Sequence, residues 1–342
     1  MSKKRELQHK LFQKIQQELE RKGQTIGSVM PEVLGISKDA VYRRYRMETD
    51  VTLDDLHKIK EQLGISIDAL LGKEEPAALF YYNPIMEEGF SLEAYFDRIR
   101  QNLELLHKQG TPRMILTVNN TPFFPIFNFP NLLKAKLFFW IKKQMRLDAL
   151  KNVNYEDFYF SMRLMQTSYE ILKLYHKVPS KELYDPDMLK GFVREIYYYY
   201  TSNEIDNSVA VELYNDMIHL VKHLKEQARN GIKYEYGKKP VPSEENQLEV
   251  YYNEILNATA MFYYTTEKGE GLFLTQNFLN PIHTTNQYYV KDTYKLLGQM
   301  ISASSKISLT NSKTRDRYFT EIMQMIERYR KKVVFESENQ TH

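Results

Sequence analysis

The chain has 342 residues, a length that favours two domains at about 150 residues each, and its 27% charged and 42% hydrophobic residues are typical of globular proteins. Its 47 Lys and Arg exceed its 44 Asp and Glu by only three, so net charge alone does not indicate a nucleic-acid-binding protein. Cysteine is absent from the sequence, which excludes disulfides, thiolate metal sites and cysteine nucleophiles.

The first residues are charged and lead directly into an amphipathic segment, without the apolar stretch of a signal peptide. No apolar run approaches the roughly 20 residues that are required to cross a bilayer. We therefore expect a cytoplasmic protein with no membrane partner.

Charge is unevenly distributed near the start of the chain. Residues 1–46 contain 11 Lys and Arg against 5 Asp and Glu, whereas residues 47–75 contain 3 against 8. The first segment is therefore expected to form a basic unit beside an acidic neighbour, and the small total charge conceals both.

Five helices are predicted in the first 72 residues. Gly35 ends the second helix, because glycine accepts the left-handed backbone of a helix end without penalty. Ser37 and Thr52 are N-cap residues for the third and fourth helices. The predicted helices span residues 4–22, 26–34, 37–46, 53–63 and 65–72.

Two segments of this region carry a family resemblance. The turn Leu34-Gly35-Ile36-Ser37 is followed by Val41 and Arg43, and further on Thr52-Leu53 precedes the run from Leu63 to Leu71. This pattern resembles the Cro/repressor-type (Xre-type) helix-turn-helix domain of bacterial transcription regulators, and a BetR-like N-terminal domain is the nearest label. The resemblance covers residues 1–72, about a fifth of the chain.

In that family the second helix of the motif lies in the major groove and the preceding helix crosses the phosphate backbone. The resemblance therefore implies base contacts from helix 37–46, namely Lys38, Asp39, Tyr42 and Arg43. It implies phosphate contacts from Gln24, Thr25, Ser37, Arg44 and Arg46. The implied partners are double-stranded DNA and a second copy of the chain, because one small head buries too little surface for tight specific binding.

Two residues depart from the family pattern. Pro31 replaces a small alanine in the first helix of the motif, so that helix is expected to start late or to be kinked. Met47 stands where a glycine usually ends the recognition helix. Both departures affect the expected docking angle on DNA.

The rest of the chain predicts a larger, mainly helical domain. Its predicted helices span residues 90–108, 131–150, 155–176, 181–200, 207–229, 286–302 and 314–332. Three strand candidates, 113–118, 258–266 and 271–276, are expected to form one small antiparallel sheet, with a hairpin turn at Lys268–Gly271. Residues 304–312 are expected to form a polar loop.

The predicted fold class is mainly α: a five-helix helix-turn-helix head, residues 1–75, followed by a larger helical (α+β) domain, residues 76–335. Residues 336–342 are expected to be a disordered tail. The predicted function is sequence-specific transcription regulation, with the large domain supplying dimerisation, effector sensing or both. The effector would be a small molecule or a protein. The alternative is a non-catalytic interaction scaffold whose head no longer binds DNA.

The remaining candidate sites in the sequence are weaker. His219 and His223 have the i, i+4 spacing of metal ligands but lack a neighbouring carboxylate pair, so a solvated helix face is expected and no metal site. Nucleotide-binding and hydrolase motifs are absent from the sequence, so we expect neither an enzyme nor a cofactor. The tyrosine pairs and runs between residues 80 and 265 are open to two interpretations, packing in a core or interface and the lining of a ligand pocket.

Overall fold

The computed structural model describes residues 3–21, 23–65, 77–82, 91–142, 153–256, 259–277 and 280–340. The chain divides into two compact units, an N-terminal unit of residues Met1–Ala77 and a C-terminal unit of residues Ala78–His342.

The described part of the N-terminal unit contains four helices: α1 (Lys3–Arg21), α2 (Ile26–Leu34), α3 (Lys38–Tyr45) and α4 (Leu53–Leu63). Their apolar faces meet in one core, in which Phe12, Ile15, Met30 and Val41 are almost fully buried. The fifth helix that the sequence predicts, at residues 65–72, falls almost wholly outside the described residues.

The two departures from the family pattern are accommodated within this unit. Helix α2 begins at Ile26 and continues through Pro31, so the helix does not start late. Gly35 adopts the left-handed conformation at its C-terminus, with φ 68°. Met47 also lies in the left-handed region, with φ 65°, so it takes the backbone conformation that a glycine would favour.

The C-terminal unit contains seven longer helices in its described residues. They are α5 (Leu92–Lys108), α6 (Pro130–Trp140), α7 (Met162–His176), α8 (Lys190–Thr201), α9 (Asn207–Asn230), α10 (Gln287–Ser302) and α11 (Ser312–Gln340). Helix α11 continues through residues 336–340, where the sequence predicted a disordered tail. Among the described helices, none is long and apolar enough to cross a bilayer.

The strands of the C-terminal unit form one mixed sheet with the order β1-β7-β6-β5-β2-β3-β4-β8. The strands are β1 (Tyr81–Tyr82), β2 (Arg113–Val118), β3 (Ser180–Tyr184), β4 (Leu248–Tyr252), β5 (Met261–Thr266), β6 (Gly269–Asn277), β7 (Asn280–Thr284) and β8 (Ser305–Lys306). Strands β2, β3 and β4 are parallel, and the other pairings are antiparallel.

The prediction of a small antiparallel sheet is therefore wrong. Strand β3 lies mostly within the segment 181–200 that was predicted as a helix, and β4 was not predicted at all. The sequence Ser-Lys-Glu-Leu-Tyr of β3 contains good helix formers, but tertiary contacts override this propensity because the segment pairs with β2 on one side and with β4 on the other. Strand β8 lies in the predicted polar loop 304–312.

Helix α6 lies deep in the core of the C-terminal unit. Eight of its eleven residues are buried, which is the pattern of a helix covered on almost every side. One of these buried residues, Lys136, is charged, and it is only 4% exposed.

Candidate nucleic-acid interface and ligand cavity

The orientation of α3 is determined by its cap and by one apolar residue. The Oγ atom of Ser37 accepts a hydrogen bond from the backbone N–H of Ala40 at 3.2 Å, which fixes the start of the helix. Val41 is fully buried against the core of the N-terminal unit. The base-contact candidates Lys38, Asp39 and Arg43 are exposed, and Tyr42 is half-buried.

Two of these side chains are packed against α2. A Cβ atom placed on Gly27 would lie 2.8 Å from Oη of Tyr42 and 2.9 Å from Cε of Lys38. The ends of both side chains therefore pack against α2 at Gly27, which has no side chain of its own. The ring of Tyr42 also makes an edge contact with the ring of Tyr45, with centroids 6.4 Å apart.

The phosphate-contact candidates divide into two groups. Gln24, Thr25, Ser37 and Arg46 are exposed. Of these, Thr25 donates its backbone N–H to Oγ of Ser28 at 3.1 Å, and the Ser37 hydroxyl serves the α3 cap. Arg46 forms an ion pair with Glu48 at 2.8 Å, and Arg43 lies 3.8 Å from the same carboxylate. The exposed group thus lies at the starts of α2 and α3 and just beyond α3.

Arg44 differs from the exposed group. Its Nε atom lies 3.0 Å from Oδ2 of Asp55, and the two side chains are only 17% and 5% exposed. Burial raises the pKa of Asp55, but hydrogen bonds from Thr52 and Arg44 outweigh it and leave that pKa below the usual value. This position favours a structural role for Arg44 over the phosphate contact that the resemblance implies.

The C-terminal unit contains a cavity of about 480 Å³ between α5, the end of β2, the segment 119–125, and strands β5 and β6. A smaller cavity of about 230 Å³ adjoins it and shares Tyr95, Ile99 and Tyr264 among its lining residues. Neither cavity was predicted as such from the sequence.

In the structure some of these tyrosines line a cavity and others pack in the core, so both interpretations of the sequence apply. Tyr81 and Tyr82 line the smaller cavity, and Tyr263 and Tyr264 line the larger one. Tyr199 instead packs in the core, stacked on Phe139 at a centroid distance of 4.0 Å. In the same way, the Tyr252 ring lies 4.7 Å from that of Tyr318. Packing and cavity lining therefore both occur.

An ion pair lines part of the larger cavity. Nζ of Lys136 lies 2.5 Å from Oε2 of Glu195, and the two side chains are 5% and 32% exposed. Burial lowers the pKa of Lys136, and the negative charge of Glu195 opposes that shift. The sequence signal for this pair is faint. It consists of a lysine in a helix whose other residues are mostly apolar, with its partner 59 positions away.

A second buried polar cluster surrounds Glu182 on β3. Its carboxylate accepts hydrogen bonds from the hydroxyls of Tyr175, Ser180 and Tyr184. The Nζ of Lys233 donates to the backbone carbonyls of Tyr175 and Val178, and burial lowers its pKa to about 7. The buried donors and acceptors of this cluster are thus paired by hydrogen bonds, which favours a structural role for it.

The histidines do not form a metal site in the described residues. Nε2 of His223 lies 2.9 Å from the backbone carbonyl of Tyr234, and His219 is exposed on the same helix. Within the described ranges no group of three or more His, Asp or Glu is placed to hold a metal ion.

No protein-family model matches the chain, and neither a curated protein nor a solved structure is significantly similar to it.

Proposed function

We propose that the chain is a sequence-specific, DNA-binding transcription regulator of the Cro/repressor type, with α3 as the recognition helix. The observation that carries this proposal is the division of α3 into two faces. Val41 anchors one face in the core, while Lys38, Asp39 and Arg43 stand exposed on the other. A short helix that presents such side chains after a capped turn has the form of a major-groove recognition helix.

The exposed side chains have the chemistry needed to distinguish base pairs. The guanidinium of Arg43 can donate two hydrogen bonds to O6 and N7 of guanine, and Lys38 can donate to the same acceptors. The Asp39 carboxylate would repel phosphate but can accept a hydrogen bond from N4 of cytosine. The contact of Lys38 and Tyr42 with α2 supports the proposal, because it restricts how these two side chains are presented.

Phosphate contacts would surround these base contacts. Gln24 and Thr25 lie at the N-terminus of α2, where unpaired backbone N–H groups and the helix dipole favour an anion. Arg46 would exchange its ion pair with Glu48 for a phosphate oxygen. Such contacts position the protein on the duplex without selecting a sequence.

The C-terminal unit would supply dimerisation, and two heads would then bind half-sites one helical turn apart. The reason is affinity, because a single module buries only about 600–1,000 Å² on DNA. Light scattering at micromolar concentration, with and without a bound duplex, tests this part. A monomeric protein under both conditions would refute the proposed dimerisation.

Selection of duplexes from a random library with the full-length protein tests the function itself. A regulator is expected to enrich one motif, and a dimer is expected to enrich a symmetric one. Affinity for the enriched duplex should fall steeply between 50 and 200 mM salt, with a log–log slope of about −0.9 for each phosphate contact. An unenriched pool together with no salt-dependent duplex binding would refute the proposal.

One observation favours a second candidate function, a protein-interaction scaffold whose head does not bind DNA. Glu48 neutralises part of the basic surface of α3 by lying 2.8 Å from Arg46 and 3.8 Å from Arg43. A protein-binding module could retain these pairs, whereas a DNA-bound head would have to break them. The Glu48→Gln variant should therefore bind duplexes more tightly if the head binds DNA. It should change nothing in the duplex assay if the head is a scaffold.

A further inference from the structure

The larger cavity lies at the end of β2, where the pairing of the sheet changes. Strand β2 pairs in parallel with β3 on one side and antiparallel with β5 on the other. The cavity is bordered by the last residues of β2 and by the segment 119–125 that follows them. In open sheets with parallel strands, ligands bind in crevices beyond the carboxyl ends of those strands.

The walls of this cavity are apolar and held in place by aromatic packing. Leu103 and Leu106 of α5, with Leu116 of β2, contribute aliphatic surface. Phe124 is stacked on Tyr175 at 4.5 Å and makes an edge contact with Phe262 at 5.6 Å. The cavity is partly open to solvent, and its volume of about 480 Å³ is within the range of small-molecule sites.

The lining of the cavity also includes both signs of charge. Lys136 and Glu195 form an ion pair, and Asn119, Asn120 and Thr121 add polar groups to the lining. An ammonium ligand would compete for Glu195 and leave the buried Lys136 without this partner, whereas a carboxylate ligand would meet the like charge of Glu195, and both are costly. An uncharged group that both donates and accepts hydrogen bonds can contact Glu195 and Lys136 while the pair stays intact.

From this combination we propose that the cavity binds a mainly apolar small molecule with an uncharged amide head group. The apolar part lies against α5, β2 and the phenylalanines, and the amide lies at the ion pair. This inference does not depend on DNA binding, and the experiment that tests it contains no DNA.

The probes are octanamide, octanoate and octylamine, which share a chain length and differ in the charge of the head group. Each is titrated into the full-length protein by calorimetry below its micelle concentration. Octanamide is expected to bind with one-site saturation and at least about tenfold more tightly than the two charged probes. Absence of saturable octanamide binding, or equal or tighter binding of a charged probe, would overturn the proposal.

Two variants of the ion pair should reverse the preference. Lys136→Met leaves the carboxylate of Glu195 without its cation, so octylamine should become the tightest of the three probes. Glu195→Leu leaves the lysine, so octanoate should become the tightest. An unchanged order of affinities in folded forms of both variants would contradict the proposed position of the head group.

Lys142→Met is the matched control. Lys142 follows α6 by two residues, pairs with Glu204 and lies 5.3 Å from the centre of the Phe138 ring, but it does not line the cavity. Its loss should leave the preference for octanamide unchanged. Ala260→Leu tests the apolar part without touching the ion pair, because Ala260 lines the cavity and a larger side chain would narrow it. This variant should weaken the binding of all three probes, and unchanged octanamide binding would place the site elsewhere.

Discussion

The Nε atom of Arg44 lies 3.0 Å from Oδ2 of Asp55, and this ion pair connects helix α3 to the first turn of α4. The same carboxylate oxygen accepts the backbone N–H of Thr52 at 2.9 Å. Adjacent arginines of α3 therefore have different environments. Arg43 is half exposed, whereas Arg44 is turned into the N-terminal unit.

Replacement of Arg44 by methionine should destabilise the N-terminal unit. The variant keeps most of the apolar stem but leaves Asp55 partly buried without its cation, at an expected cost of about 1–3 kcal/mol. Hydrogen exchange of amides in residues 3–65 of the full-length protein measures this. Arg46→Met is the control, since its exposed pair with Glu48 should contribute less than about 1 kcal/mol. Equal effects of the two variants would contradict the assignment.

Replacement of Arg43 by alanine should reduce specificity for DNA. If its guanidinium contacts a base, the variant should bind the selected duplex about 1–3 kcal/mol more weakly and lose preference at one position. Arg46→Ala, which removes a proposed phosphate contact, should weaken binding to all sequences evenly and make the salt slope shallower by about one. A uniform loss for both variants, measured on the selected and scrambled duplexes, would show that α3 does not read bases through Arg43.

Met47 should carry backbone strain, because it lies at φ 65° two residues after the end of α3. Met47→Gly is expected to relieve this strain, and Met47→Ala removes the side chain without relieving it. The glycine variant should therefore be more stable than the alanine variant by about 1 kcal/mol. Amide exchange in residues 38–63 of the full-length protein measures the difference. If the alanine variant were as stable as the glycine variant, the backbone at Met47 would not be strained.

The stability of the C-terminal unit should fall in acid because of His176. Burial, and then the positive charges of Lys233 and His223, lower the pKa of His176 from its ordinary value of 6.5 to about 3. The unfolded chain therefore binds a proton near pH 6.5 that the folded chain does not bind until about pH 3. Between these values His176 should lower the free energy of unfolding by up to about 1.4 kcal/mol per pH unit as the pH decreases.

The His176→Phe variant should reduce this acid dependence. It should also be more stable at neutral pH, because in the described part of the chain Nε2 of His176 is buried without a hydrogen-bond partner. Denaturant unfolding followed by the fluorescence of Trp140 between pH 4 and pH 7 gives the slope. His219→Phe, at an exposed position, controls for the loss of a histidine. A slope unchanged from the wild type in His176→Phe would contradict the prediction.

The sequence predicted the local features of the fold better than its topology. Strand β2 has the predicted bounds, and α5 and α9 begin or end within two residues of prediction, because spacing and breakers act locally. Strands β3 and β4 could not be predicted in the same way. Their burial depends on neighbours that are distant in sequence. The local sequence of β3 and β4 therefore does not indicate the parallel centre of the sheet.

The candidate sites show the same limit. The outward face of α3 follows from the burial of Val41, which the helical period already indicates. That Arg44 rather than Arg43 turns inward depends on Asp55, which belongs to another helix. The cavity depends on Lys136 meeting Glu195 on a different helix, a contact that no local pattern specifies.

The order of strands in the sheet has a consequence for synthesis of the protein. Met114 of β2 pairs with Ser180 on one side and with Tyr264 on the other, 66 and 150 residues later in the chain. At about 5–20 residues per second, the second partner leaves the ribosome roughly 8–30 s after β2. During that interval the central strand has an unpaired edge that other nascent chains could join. The described part of the N-terminal core extends only to Ile65, so this part can form well before. During synthesis the C-terminal sheet is therefore expected to remain incomplete while a folded N-terminal unit is already attached to it.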